Sequence, residues 1–274
     1  MTKARAHDDT VLAHAGRPSI AHFGAVNPPV YHASTILFPT LAALDAKAEA
    51  KVRYGRRGTP TSMALEEAMS ALEGADGTVL APSGLMAIST TLLAFAGPRR
   101  HVLVPDNVYG PVRRISDGML GRLGLDVTYY DPAIGAGLAE LVRQDTALIW
   151  LECPGSQTFE MSDLRAMVAV ARQFGIPTAM DNSWSASYFL KPLSIGVDVS
   201  VQAGTKYIGG HSDVMIGLVS ARGDVLQRLR ATASEIGLCI GPDDAYLALR
   251  GLRTLGMRMA RHHASGLAIA RWLA

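Results

Sequence analysis

Six short apolar runs recur along the chain: TVLA at 78–81, HVLV at 101–104, ALIWL at 147–151, PTAM at 177–180, VSVQA at 199–203 and IGLVS at 216–220. Short apolar runs separated by helical patterns read as strands buried on both faces of an α/β sheet. Two of the separating segments carry a clear helical period. Leu65, Ala68, Met69 and Leu72 share one face ahead of a stop at Gly74, and Leu164, Met167, Val168 and Ala171 share another between Ser162 and Gly175. Both are expected to cover the sheet with an apolar stripe.

Composition supports a packed chain. Of 274 residues 49% are hydrophobic and 18% charged, enough for one large domain or one domain with appendages. The 26 basic and 24 acidic residues are interspersed and sum to a net charge of +2, which gives no field suited to nucleic acid or anionic lipid. A small-molecule partner is expected. Cys153 and Cys239 are the only cysteines and have no CxxC or metal-ligand spacing with His, so neither a disulfide framework nor a zinc site is expected. His262 and His263 are adjacent and point in different directions on a helix, so no metal is assigned. The start, MTKARAHDDT, lacks an apolar core, and no run of 18 apolar residues occurs. The expectation is a cytoplasmic protein.

The two ends differ from the middle. Residues 1–60 scatter His, Pro and Thr through stretches such as NPPVYHAST and keep no period, as expected of an arm that wraps something else. From Asp243 the pattern is helical through Leu247, Leu255, Met259, Leu267, Ile269 and Leu273, with no Gly, Asn or Pro stop. The chain is therefore expected to end inside a helix. The expected organisation is an arm over 1–60, a large domain over 61–242 and the start of a further domain over 243–274.

Five motifs carry candidate chemistry. In Ala203-Gly204-Thr205-Lys206-Tyr207, followed by Gly209-Gly210-His211-Ser212-Asp213, a lysine stands between a buried strand and a glycine-rich turn. In a low-polarity cleft such an amine has the lowered pKa that Schiff-base formation requires, although a lone strand-end lysine is more often a solvated charge. Asp181, in Met180-Asp181-Asn182-Ser183-Trp184, ends another strand and could pair with a pyridinium nitrogen, or could cap the next turn. Pro82-Ser83-Gly84-Leu85-Met86 opens a helical stretch whose free N–H groups suit a phosphate, unless it is only a tight turn; Thr205 could add a hydroxyl to that phosphate. Tyr54-Gly55-Arg56-Arg57-Gly58 is a basic-aromatic cluster shaped for phosphate or carboxylate, or a solvated loop. Tyr109, in Asp106-Asn107-Val108-Tyr109-Gly110, could stack on an aromatic ring.

Taken in order, these motifs resemble the Cys/Met-metabolism family of pyridoxal-phosphate enzymes from about residue 10 to the last residue, with TKYIGGHSD the most specific element. The resemblance implies an aspartate-aminotransferase-like fold (PLP fold type I), an α/β architecture whose mostly parallel sheet is flanked by helices. It implies that Lys206 carries pyridoxal 5'-phosphate, that Asp181 pairs with its ring nitrogen and that Tyr109 stacks on the ring and assists deprotonation of the incoming amine. Ser83, Gly84, Leu85 and Thr205 would hold the phosphate. Tyr54 and Arg56 would reach the neighbouring subunit's phosphate, so a homodimer or homotetramer with shared sites is implied, and Arg57 would contact the distal substrate carboxylate.

The stretches DPAIGAG, LECPGS, DNSW, VQAGTKYIGGHSD and GLRTLGMR are similar to the cystathionine β-lyase branch, as are Ser156 and Ala203, where the γ-branches typically carry Asn and Ser. The implied activity is β-elimination from cystathionine in methionine biosynthesis, with a γ-lyase or γ-synthase as the alternative. The family's C-terminal domain, which supplies an arginine for the substrate α-carboxylate, has no counterpart before Ala274. The resemblance thus implies a C-terminal small domain that is absent or truncated, and leaves a cofactor-binding remnant without turnover as a further alternative.

Overall fold

The computed structural model describes residues 7–17, 22–46, 50–95, 97 and 101–274. Residues 1–6, 18–21, 47–49, 96 and 98–100 lie outside the described residues; they include parts of the expected arm and Ala96 of the expected helix AISTTLLAFAG. Two short helices, α1 (Asp8–His14) and α2 (Leu41–Asp45), precede a 3-10 turn at Gly55–Arg57. The helix α3 (Pro60–Glu73) and strand β1 (Gly77–Ala81) follow, then α4 (Gly84–Phe95), β2 (His101–Pro105), α5 (Gly110–Ile115), β3 (Asp126–Tyr130) and β4 (Thr146–Glu152). After α6 (Leu164–Phe174) come β5 (Thr178–Asp181), α7 (Pro192–Ile195), β6 (Val199–Ala203) and β7 (Gly217–Ala221). Helices α8 (Gly223–Glu235), α9 (Pro242–Leu252) and α10 (Leu255–Leu273) complete the chain.

The seven strands form one sheet in the order β1-β7-β6-β5-β4-β2-β3. From β6 across to β3 every pairing is parallel, while β7 runs antiparallel to both β6 and β1. This is the mostly parallel, helix-flanked α/β sheet that the resemblance implies. All six apolar runs are strands, displaced by at most a residue or two. β3 is the strand that the apolar-run pattern does not contain. Its sequence, DVTYY, pairs only with β2 at the sheet edge, and its residues before Tyr130 are exposed or half-buried, so it needs no continuous apolar run.

Local signals explain where the helices sit. The Ser62 hydroxyl accepts the Thr59 N–H at 3.0 Å ahead of α3, Pro60 occupies its first turn, and Gly74 ends it in the left-handed conformation at φ 69°. The Asp163 carboxylate accepts the Ala166 N–H and caps α6 one residue after Ser162, and the helix stops at Gly175 as expected.

Side chains alternate along the strands and feed separate cores on the two faces. Val79, Val104, Trp150 and Val201 pack with Ala87 and Leu92 of α4 and Leu229 of α8. Leu103, Ile149 and Leu151 pack with Met167, Val168 and Ala171 of α6. A third cluster joins Leu12 of α1, Leu65 and Met69 of α3, Leu252 of α9 and Leu255 and Met259 of α10. The helical pattern after Asp243 is two helices rather than one, broken at Arg253–Thr254, where the Arg253 guanidinium donates to the carbonyls of Leu12 and Ala15. Beyond Met259 the α10 residues Leu267, Ile269 and Trp272 are exposed.

Candidate active site

The candidate site lies where the parallel strands β2, β4, β5 and β6 end and their loops begin, the edge at which open α/β sheets place ligands. Glu152 and Asp181 are the last residues of β4 and β5 and stand opposite each other in the parallel register. The Asp181 carboxylate accepts the Ser183 backbone N–H at 2.9 Å, and the Ser183 hydroxyl beside it favours the charged carboxylate. The same Ser183 Oγ accepts the Ala203 N–H at 2.7 Å, which ties Asp181 to the end of β6, three residues before Lys206. Both Glu152 oxygens lie 3.1 Å from the Tyr109 N–H, so the loop after β2 is anchored to the same pair.

The turn that carries Lys206 is closed by its own backbone: Lys206 N–H donates to Ala203 O, Gly209 N–H to Gly204 O and Gly210 N–H to Lys206 O. Gly210 takes a φ of +78°, which glycine adopts without strain. The helix α4 arrives against this turn. A Cβ on Gly84 would lie 2.7 Å from the Ala203 Cβ, and one on Gly217 would lie 2.2 Å from Ser83 O, so the Ser83–Gly84 turn can approach β6 and β7 only as glycine-lined backbone. Ser83 Oγ accepts the Met86 N–H, while the Gly84 and Leu85 N–H groups belong to the first helical turn, which has no preceding carbonyls to bond.

The loops after β2 and β4 are bound in the same manner. Ser156 N–H donates to Asn107 O, and the Asn107 side chain fills the space that a Cβ on Gly155 would need, 1.9 Å from its Nδ2. That contact explains a glycine in the Cys153-Pro154-Gly155-Ser156 stretch and fixes the loop that presents Tyr109.

The electrostatics centre on the two carboxyls. Burial pushes Glu152 up to about 8, reinforced by the Asp181 charge and opposed by the Tyr109 N–H. Burial also raises Asp181, against the Ser183 hydroxyl and N–H. Among the described residues neither carboxyl has a basic side chain in ion-pair contact. A buried acidic pair of this kind is suited to a ligand that brings a ring N–H.

The structure brings Asp181, Tyr109, Ser83, Gly84 and Lys206 to one edge, with differences from the sequence expectation. Lys206 and Leu85 have exposed side chains, so Lys206 does not lie in the dry cleft expected of it. The Tyr109 ring is also exposed, at 45%. Thr205 spends its hydroxyl locally, accepting the Ile216 N–H at 3.1 Å and facing Ile216 O.

Tyr54, Arg56 and Arg57 lie elsewhere. They line a cavity of about 740 Å³ with Glu66, Arg230 and Ser234, and none of its lining residues belongs to the Lys206 cluster. Arg56 donates to Ser234 O at 3.1 Å, and Tyr54 bridges to Thr35.

Sequence reasoning passed over Glu152 and Ser183. Glu152 ends a seven-residue strand that is buried throughout, the same signal that singled out Asp181. Its pairing with Asp181 depends on strand order, which the linear sequence does not display.

The small-residue turn, the helix start and the unpaired buried acids fit pyridoxal phosphate: Ser83, Gly84 and Leu85 at its phosphate, Asp181 at its ring nitrogen and Lys206 at its aldehyde. Comparison with known proteins agrees. A relative from Rhizobium johnstonii is 49% identical over 265 residues, covering 97% of this chain and 67% of its own length. The cystathionine beta-lyase of Bordetella avium is 43% identical over 277 residues, covering 97% and 69%, and an L-alanine/L-glutamate racemase of Wolbachia pipientis is 40% identical over 279 residues with the same coverages. The crystal structure of cystathionine gamma-lyase from Lactobacillus plantarum complexed with L-serine superposes with a TM-score of 0.91 at 30% identity, covering 98% of this chain and 69% of that one. The chain thus spans about two thirds of the length of these relatives. Residues 9–274 match the sequence profile of the Cys/Met metabolism PLP-dependent enzymes, and the chain belongs to that family.

Proposed function

We propose that the chain is a carbon–sulfur lyase that acts on cystathionine by β-elimination, yielding homocysteine, pyruvate and ammonia with uptake of one water, in methionine biosynthesis. The observation that carries the reading is the meeting of Lys206, the Ser183-braced Asp181 and the Ser83–Gly84 turn at one sheet edge. The cystathionine beta-lyase relative at 43% identity supports it.

Pyridoxal phosphate, when bound, supplies an aldehyde that joins the substrate amine and a ring that accepts the electron pair left at Cα. The chain's own residues do the rest. Lys206 Nζ would hold the cofactor through its aldehyde, and its amine would serve as the base that takes the Cα proton. Asp181 would keep a proton on the ring nitrogen, and the Ser183 N–H holds the Asp181 carboxylate in place. Tyr109, held at its backbone by Glu152, would lie over the ring face and would take a proton from the substrate amine. Arg57 contacts the distal carboxylate, and Tyr54 and Arg56 serve the phosphate of a neighbouring subunit in a homodimer or homotetramer. We read the protein as cytoplasmic; among the described residues no helix is long and apolar enough to cross a membrane.

The test is the keto acid. Purified protein incubated with the cofactor and cystathionine should release pyruvate, and Lys206→Ala should lower the rate by about 10³-fold, the size of a lost general base. Release of 2-oxobutyrate alone refutes β-elimination in favour of a γ-lyase. The exposed Lys206 side chain favours a second reading, a chain that binds the cofactor without turnover. Yellow protein that releases no keto acid selects that reading.

A further inference from the structure

The cofactor reading leaves Glu152 without a role. It is buried to 8% exposure, ends β4 and stands directly beside Asp181 in the parallel register. Two carboxyls on neighbouring strand ends cannot both remain charged in a site without a basic partner, because the repulsion and the loss of water act together. The surrounding donors decide which one is neutral. Asp181 receives the Ser183 N–H and has the Ser183 hydroxyl beside it, both of which favour its ionised form, whereas Glu152 receives one backbone N–H shared between its oxygens. The other titratable groups near Glu152 are Tyr130 of β3, whose hydroxyl donates to Trp150 O, and its neighbour Cys153, and neither offers a cation.

Resting on the cofactor reading above, we propose that Glu152 is a positioning residue which acts as a neutral carboxylic acid: its proton lets Asp181 keep its charge for the ring nitrogen, while its oxygens hold the Tyr109 N–H. One side chain would then couple the group at the ring's nitrogen to the group at the ring's face. Burial and the neighbouring charge both push Glu152 up to about 8, consistent with a neutral acid at pH 7.

Glutamine preserves both functions of a neutral Glu152, with an amide N–H toward Asp181 and an amide oxygen toward the Tyr109 N–H; alanine removes both. At pH 7, Glu152→Gln should bind pyridoxal phosphate within about threefold of the unaltered protein, and Glu152→Ala should bind it about tenfold more weakly, ~1.4 kcal/mol. Equal loss in both variants would show that a charged Glu152 is required and would overturn the proposal.

The second measurement needs no cofactor. The infrared difference between the cofactor-free unaltered protein and Glu152→Gln should contain a protonated-carboxyl component that disappears as pH rises through about 8 and that moves to lower pH on an Asp181→Asn background, where the neighbouring charge is gone. A difference with no such component overturns the proposal even if the protein takes up no cofactor. Failure of the cofactor reading would appear instead as unaltered cofactor binding in Lys206→Ala.

Discussion

Two polar regions of this chain are built in opposite ways. Around Asp181 and Glu152 the polar groups are wired to each other and to the backbone, with Tyr109, Ser183 and Ala203 all donating inward. Around Tyr54 the guanidinium of Arg56 reaches only a carbonyl on α8, Arg57 is exposed, and a cavity of about 740 Å³ stands open beside them. The first region is organised by its own chain. The second presents Arg57 outward and turns Arg56 onto α8, away from Lys206.

The comparison breaks most visibly in a mixing experiment. Lys206→Ala and Arg56→Ala should each be inactive alone, and combined under conditions that exchange subunits they should regain keto acid release. A mixture no more active than its parts would place Arg56 in its own chain's chemistry.

A smaller effect is expected from the internally wired region. Asp181→Ala should lower turnover by about 10²–10³-fold, the loss seen when a preorganised charge is removed from a developing one. A loss of only severalfold in kcat with normal folding would mean that Glu152 or solvent can replace it.

The smallest effect belongs to the open cavity, at Glu66. Burial raises this carboxyl from 4.5 to about 7, with Arg230 working in the other direction. Between those values the folded chain binds more protons than the unfolded one, so stability falls as pH rises across the window. Glu66→Gln should therefore be more stable than the unaltered protein by about 1–3 kcal/mol at pH 8, with little difference at pH 4. A denaturant titration at the two pH values checks this, and equal differences at both would show that Glu66 is already charged and paired.

The strands were legible because they are buried on both faces and therefore read as continuous apolar runs. β3 was not, because an edge strand with half-buried residues has no such run. Lys206, Asp181 and the Ser83–Gly84 turn were legible as strand-end and helix-start chemistry. Glu152 and Ser183 were passed over because their importance lies in what they face, and both partners sit on neighbouring strands or loops.

The linear sequence by itself determined the element types, through apolar period and capping residues that act within a few positions, and it carried the family's motif order. Only the tertiary structure decided that Glu152 faces Asp181, that Ser183 joins Asp181 to β6, and that Arg56 lies away from Lys206. Strand order is set by which faces bury one another across the whole sheet, so no local window of residues contains it.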